Sequence, residues 1–94
     1  MYQIVITPSA KRSLKKLPVK VRNDLLNASL ALEVNPLIGE KLTGPLSFLY
    51  SFHFRSQGVD YRLAYTINIP EKKIIVHLAH TRENFYEKLR RLFK

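Results

Sequence analysis

The stretch FLYSFHFRSQGVDYRLAYTI, Phe48 to Ile67, alternates in side-chain character with a period of two on either side of Ser56-Gln57-Gly58. Phe48, Tyr50, Phe52 and Phe54 fall on one side, and Leu49, Ser51, His53 and Arg55 on the other. Beyond the turn, Tyr61, Leu63, Tyr65 and Ile67 share one face, while Asp60, Arg62, Ala64 and Thr66 share the opposite one. Successive side chains of a strand point to opposite faces of its sheet, so the pattern predicts a hairpin with an aromatic face and a polar face. The aromatic face must be buried against other elements.

The flanks supply that cover. Tyr2 to Ile6 is a β-branched and aromatic run that reads as a strand. Thr7-Pro8 offers a capping hydroxyl followed by proline at the first helical position. Ser9 to Leu17 is basic and amphipathic, with Leu14 and Leu17 on one face, and Pro18 interrupts it. A second helix is expected over Val19 to Glu33, with Val21, Leu25, Leu26, Ala28, Leu30 and Leu32 broadly at helical spacing, stopped by Asn35-Pro36. Leu37 to Pro45 reads as a loop. Pro70-Glu71-Lys72-Lys73 makes a turn, and Ile74 to Ala79 reads as a buried central strand containing His77. Thr81 to Lys94 is helix-compatible, with Phe85, Leu89 and Leu92 along one side. The reading is a single α+β domain spanning residues 1–94, in the order β-α-α-β-β-β-α. Its N-terminal helical hairpin packs on the aromatic face of a small, mainly antiparallel sheet. The face carrying Ser51, His53, Arg55 and Arg62 is expected to stay open and basic.

Charge narrows the function. Lys and Arg number 16 against 7 Asp and Glu, a net +9 on 94 residues. That exceeds the magnitude of ~2–8 usual for a small domain. Such a field attracts nucleic acid, an anionic membrane or an acidic protein. A chain this short hides only about two-thirds of its unfolded surface, so an open groove is expected rather than an internal cavity. There is no Cys, which points to a reducing cytoplasm, and the three His lack metal-ligand spacing, so no metal or other cofactor is expected. The N-terminus has no signal-peptide pattern, and no apolar stretch approaches the ~20 residues of a membrane span. The expected partner is RNA, with no membrane.

RNA can be cut by its own 2′-hydroxyl if a base removes the proton, cations stabilise the phosphorane and an acid protonates the leaving oxygen. His53 is the candidate proton-transfer group. Arg62 and Arg82 can clamp phosphate bidentately, and Tyr86 can stack on a base or donate its hydroxyl. His53 and Arg62 should face the same way on neighbouring strands. Arg82 and Tyr86 share a helix face if the last helix begins near Thr81. Lys11, Arg12, Lys15, Lys16, Arg90 and Arg91, together with Ser51 and Arg55, are the candidate RNA contacts. Plainer alternatives stand beside these: His53 an ordinary surface residue, Arg62 paired with Asp60 or Glu83, Arg82 an ordinary residue of the first helical turn and Tyr86 in the core; His77 reads as structural, and His80 either way.

Gly44-Pro45-Leu46, Tyr50 to Ser56, Asp60 to Tyr65 and the ending His80 to Lys88 together resemble the RelE/ParE superfamily of toxins from type II toxin–antitoxin systems. The resemblance covers nearly the whole chain, including the element order. It implies a RelE-like endoribonuclease, an mRNA interferase that cuts mRNA in the ribosomal A site without metal and is restrained by a small acidic, RelB-like antitoxin. By position, Arg62 matches the strand arginine, Arg82 the tail arginine and Tyr86 the tail tyrosine. Ser51 and His53 stand where RelE carries lysines; related toxins use histidine or glutamate as the base, a role open to His53. The alternatives within the superfamily are a ParE-like toxin that poisons DNA gyrase by protein contact, and a binding module that keeps only the fold.

Overall fold

Three helices flank a five-stranded sheet in the computed structural model, which describes residues 1–94. The elements are β1 (Gln3–Ile6), α1 (Pro8–Lys15), α2 (Val19–Val34), β2 (Glu40–Lys41), β3 (Tyr50–Ser56), β4 (Val59–Asn68), β5 (Lys73–Thr81) and α3 (Phe85–Leu92). The sheet order is β1-β5-β4-β3-β2, with β1 parallel to β5 and every other pair antiparallel. Thr7 caps α1, its hydroxyl accepting from the Ala10 amide at 3.1 Å ahead of Pro8. Gln57 and Gly58 both adopt positive φ, 53° and 77°, the primed turn whose twist matches a two-residue hairpin.

That turn fixes the β3–β4 register and with it the aromatic face. Tyr50 stands opposite Tyr65, Phe52 opposite Leu63 and Phe54 opposite Tyr61. Tyr50 stacks on Tyr65 with ring centroids 5.5 Å apart, and Phe54 on Tyr61 at 5.2 Å. Ala10, Val21, Leu25 and Leu32 from the helical hairpin close over Phe54, Tyr61, Leu63 and Tyr65 to form the main core. The α2 helix is also tied to the hairpin turn. Ser56 donates to the Asp24 carboxylate at 2.6 Å, and that bond, with a second from Gln57, holds the Asp24 carboxyl below its usual pKa.

A bulge lets β5 serve both faces. Ala64 pairs with Leu78 but Tyr65 pairs with Val76, which leaves His77 as the extra residue. The phase of β5 therefore flips. Ile74, Val76 and Ala79 join the core under the helical hairpin, while Leu78 joins a second cluster with Leu42, Leu49, Ala64, Phe85 and Leu89.

That second cluster corrects the expectation of an open polar face. The α3 helix lies on it, burying Phe85 and Leu89 against Ala64 and Leu78. Three further readings change. The loop over Leu37 to Pro45 contains β2, a two-residue strand too short to leave a periodic signal. The last helix begins at Phe85 rather than near Thr81, because Thr81 is still paired with Tyr61 in the ladder and Arg82–Asn84 form a 3₁₀ turn. Phe48 precedes β3 and is 48% exposed, packing edge-on against Phe93 instead of joining the aromatic face.

One buried tyrosine anchors the segment after α2. The Tyr65 hydroxyl donates to the Pro36 carbonyl at 2.6 Å and accepts from the Gly39 amide at 3.2 Å. Burial raises its pKa. A Cβ on Gly39 would strike that hydroxyl and stand 2.9 Å from the Ser51 carbonyl oxygen. Tyr65→Phe should therefore destabilise the fold by about 1–3 kcal/mol through two orphaned backbone groups. At about 4–8 °C per kcal/mol for a domain of this size, thermal denaturation reads the loss directly. An unchanged midpoint would show that the anchor contributes nothing.

Candidate functional site

The registers of β3, β4 and β5 place three side chains in one row across the sheet. His53 stands opposite Arg62, and Arg62 stands opposite His80. Arg62 is the middle of the row, and α3 reaches it. Its Nη1 donates to the Tyr86 hydroxyl at 2.9 Å, and the guanidinium carbon lies 5.3 Å from the Tyr86 ring centroid. The expected alternatives for Arg62 are not realised. Asp60 is taken by Arg55 at 3.1 Å, and Arg62 makes no ion pair with Glu83. Its Nε is buried without a partner. Arg62 is thus held in place by a neutral phenol, leaving its charge available to an anion.

His53, Arg55, Arg62 and Arg82 border an open groove of about 340 Å³ at the hairpin end of the sheet. Arg82 enters it from the 3₁₀ turn, so the shared helix face expected for Arg82 and Tyr86 does not form; Tyr86 arrives separately, as the second residue of α3. The fold nonetheless gathers His53, Arg62 and Arg82 in one groove and puts Tyr86 in contact with Arg62. Cations around a groove and a proton-transfer group at its rim are what phosphate chemistry requires.

The candidate RNA contacts divide. Arg12 of α1 and Lys16 just past its end meet Lys88 and Arg91 of α3 around a second groove of about 500 Å³, with His80 also on its wall. Lys11 and Lys15 are exposed but lie outside this groove, and Arg90 lines a third pocket beside Tyr86. Arg55 is engaged by Asp60 and by the Gly58 carbonyl. Ser51 is the clear correction. It is 0% exposed, enclosed on the α3 side of the sheet with its hydroxyl unpartnered, so it is not part of a solvent-facing surface. Lys88 is not among the named sequence candidates, and His80 is open there between a structural and a functional reading. Their only sequence signal was the basic C-terminal run and the position beside Arg82; their pairing with α1 arises from helices far apart in the chain. Of the sixteen Lys and Arg, only Arg55, Lys73 and Arg91 pair with a carboxylate, so most of the positive charge faces solvent unneutralised.

His77 is structural in its surroundings. Its Nε2 lies 3.0 Å from the Thr66 hydroxyl and its ring packs edge-on against Phe93.

A family model described as the ParE-like toxin of type II bacterial toxin–antitoxin system matches residues 4–90. The chain belongs to this family. Solved structures agree with that membership. A chain of the RelBE2 toxin–antitoxin complex from Mycobacterium tuberculosis superposes with a TM-score of 0.74 at 26% identity, covering 86% of this toxin and 98% of that chain. A chain of the archaeal RelE–RelB complex from Pyrococcus horikoshii reaches a TM-score of 0.60 at 25% identity, over 86% of this toxin and 94% of that chain. A mutant E. coli RelE in the free state shares the fold, with a TM-score of 0.72 at 22% identity and 96% of each chain covered. No curated protein matches the sequence. No helix of the toxin is long and apolar enough to cross a membrane.

Burial lowers the pKa of His77 below its ordinary 6.5. The unfolded chain then takes up this proton at higher pH than the folded one, so the stability it confers is present above about pH 6.5 and is lost as pH falls toward the folded value. Urea denaturation at pH 7.5 and 5.5 should show a larger acid-side loss for the native toxin than for His77→Gln. Equal losses would mean that His77 titrates freely in the fold.

Proposed function

We propose that this toxin is an endoribonuclease, an mRNA interferase that cuts mRNA in the ribosomal A site and so inhibits translation. The carrying observation is the row His53–Arg62–His80, with Arg62 fixed by Tyr86 and free of any carboxylate. In this reading a scissile phosphate sits in the groove against Arg62 and Arg82. The neighbouring ribose 2′-oxygen attacks phosphorus as His53 removes its proton; the P–O2′ bond forms and the P–O5′ bond breaks. The departing 5′-oxygen takes a proton. Tyr86 is suited to give it, because Arg62 already donates to the phenol oxygen and leaves the hydroxyl hydrogen free. Arg62 and Arg82 hold the charge that builds on phosphorus. The chemistry needs no metal ion.

The remaining cations act at longer range. Lys11, Arg12, Lys15, Lys16, Arg90 and Arg91 would meet the phosphates that wall the A site, so ribosome binding should weaken steeply with salt. Cellular restraint would come from an acidic, RelB-like antitoxin, since the M. tuberculosis and P. horikoshii relatives were solved as toxin–antitoxin complexes. An exposed stripe on α2 supports such a partner. Leu26, Leu30 and Val34 recur every four residues, all more than half exposed, with Leu37 beyond them.

A second reading has one observation in its favour. The matching family model is ParE-like, and a ParE-like toxin would poison DNA gyrase by protein contact without cutting RNA. Purified toxin, ribosomes programmed with a defined A-site codon and primer extension separate the two. A discrete cut at that codon is the expected result, and uncut mRNA with a folded, toxic protein would favour gyrase. His53→Ala should abolish the cut while ribosome binding persists. Arg82→Ala should lower kcat by ~10²–10³, as loss of one charge-stabilising donor does. A change confined to KM would make Arg82 a binding residue instead.

A further inference from the structure

Arg62 lines one concavity and Tyr86, its hydrogen-bond partner, lines another. One is the cationic groove at His53 and Arg82. The other, about 570 Å³, opens between α3 and the segment 40–46, and Tyr86 is one of its walls. We propose that this second pocket receives the base of a nucleotide next to the scissile phosphate and that Glu40 reads its edge; the proposal rests on the ribonuclease reading above.

The lining has the two features a base needs, flat apolar walls and polar groups for its edge. Tyr86 and Arg90, four apart on α3, present one face of the helix to the pocket, Phe93 just past its end joins them, and Phe85 and Leu89 bury the other face. Pro45 and Leu46 complete the apolar walls. Flat apolar and aromatic surfaces suit the faces of a base. Its edge needs polar partners, and the pocket offers Glu40 as its one carboxylate acceptor and Arg90 as a donor, with Lys41 and Thr43 also on its wall. Glu40 pairs with Ser51 in the β2–β3 ladder and therefore projects on the α3 side of the sheet. Glu40 and Arg90 line the same pocket yet form no ion pair with each other, so both are free for a ligand. A peptide phenylalanine would fill the walls but bring no hydrogen-bonding group, and Tyr or Trp would bring a single polar group where a base edge brings several.

The pocket is also preformed. Leu42 is buried and donates to the Leu49 carbonyl at 2.9 Å, and Leu49 donates back to the Leu46 carbonyl at 3.0 Å. Gly44 supplies the positive φ of 66° that turns the segment between them. A held loop places Glu40 and Leu46 against α3 before RNA arrives, which limits the ordering needed on binding.

A carboxylate accepts hydrogen bonds and cannot donate them. Glu40 should therefore favour a base bearing an exocyclic amino group, namely adenine, guanine or cytosine, over uracil, whose edge sets two carbonyl acceptors around a single N–H. The test uses four programmed ribosome complexes that differ only in the base beside the cut, with cleavage rates measured for the native toxin, Glu40→Ala and Leu46→Trp. The native toxin should cut the uridine message about 10-fold or more slowly than the others, the discrimination one good base-edge contact supplies. Glu40→Ala should bring the four rates within about 2-fold of each other, and Leu46→Trp, which fills the pocket, should erase the same difference. Cleavage by the native toxin with equal rates, or a preference that survives Glu40→Ala, overturns the base pocket and leaves the ribonuclease reading standing. No cleavage of any message by the native toxin overturns both.

Discussion

The hydrogen bond from Arg62 to the Tyr86 hydroxyl joins the middle of the sheet to the last helix, and the candidate site exists only while that link is made. Two ladders fix Arg62 from either side, one bringing His53 beside it and the other His80. Tyr86 reaches it only because Phe85 and Leu89, its neighbours on α3, are buried on Ala64 and Leu78. Those two apolar contacts thus position a polar one. A partner that lifted α3 from the sheet would expose the second cluster and release Tyr86 from Arg62 together. Inhibition by displacement would then need no contact with the groove itself.

The charge distribution carries the same logic outward. A net +9 on 94 residues opposes folding by self-repulsion, and the few ion pairs do little to relieve it. Three of the sixteen cations line the groove at Arg62 and four line the groove between α1 and α3, while the others lie elsewhere on the chain. The exposed side of α2 is different in kind, an apolar stripe with Asp24 tied down at its flank. One small body therefore presents a polyanion-seeking surface and a separate apolar surface. That division suits a protein with two kinds of partner, a nucleic acid target and a protein inhibitor.

Much of this was legible in the sequence because period-two alternation is a local property. The residues Phe52 to Tyr65 announce their hairpin, its turn and its aromatic face, and the resemblance located Arg62, Arg82 and Tyr86. What the sequence hid was long-range. Leu49 and Ala64 are apolar positions on the face read as polar, and with Leu78 they form the seat for α3. Without that helix in view, Ser51 looks like a surface hydroxyl between Tyr50 and Phe52; beneath it, Ser51 is sealed. The bulge at His77 is equally invisible to a periodicity count, since it shifts phase within a run that is apolar on both faces. Lys88 and His80 joined the basic groove only through the meeting of α1 and α3.

The central claim is that the groove at Arg62 promotes attack by the ribose 2′-oxygen on its own phosphate. The chemical ends of the cleaved RNA test it most directly. Mass spectrometry of fragments released from programmed ribosomes should show a 2′,3′-cyclic phosphate on the upstream piece, or the 2′- or 3′-monophosphate it hydrolyses to, and a free 5′-hydroxyl on the downstream one. Downstream fragments carrying 5′-phosphate would mean that water, not the ribose, attacks phosphorus, and would contradict the account. So would intact RNA from an active toxin.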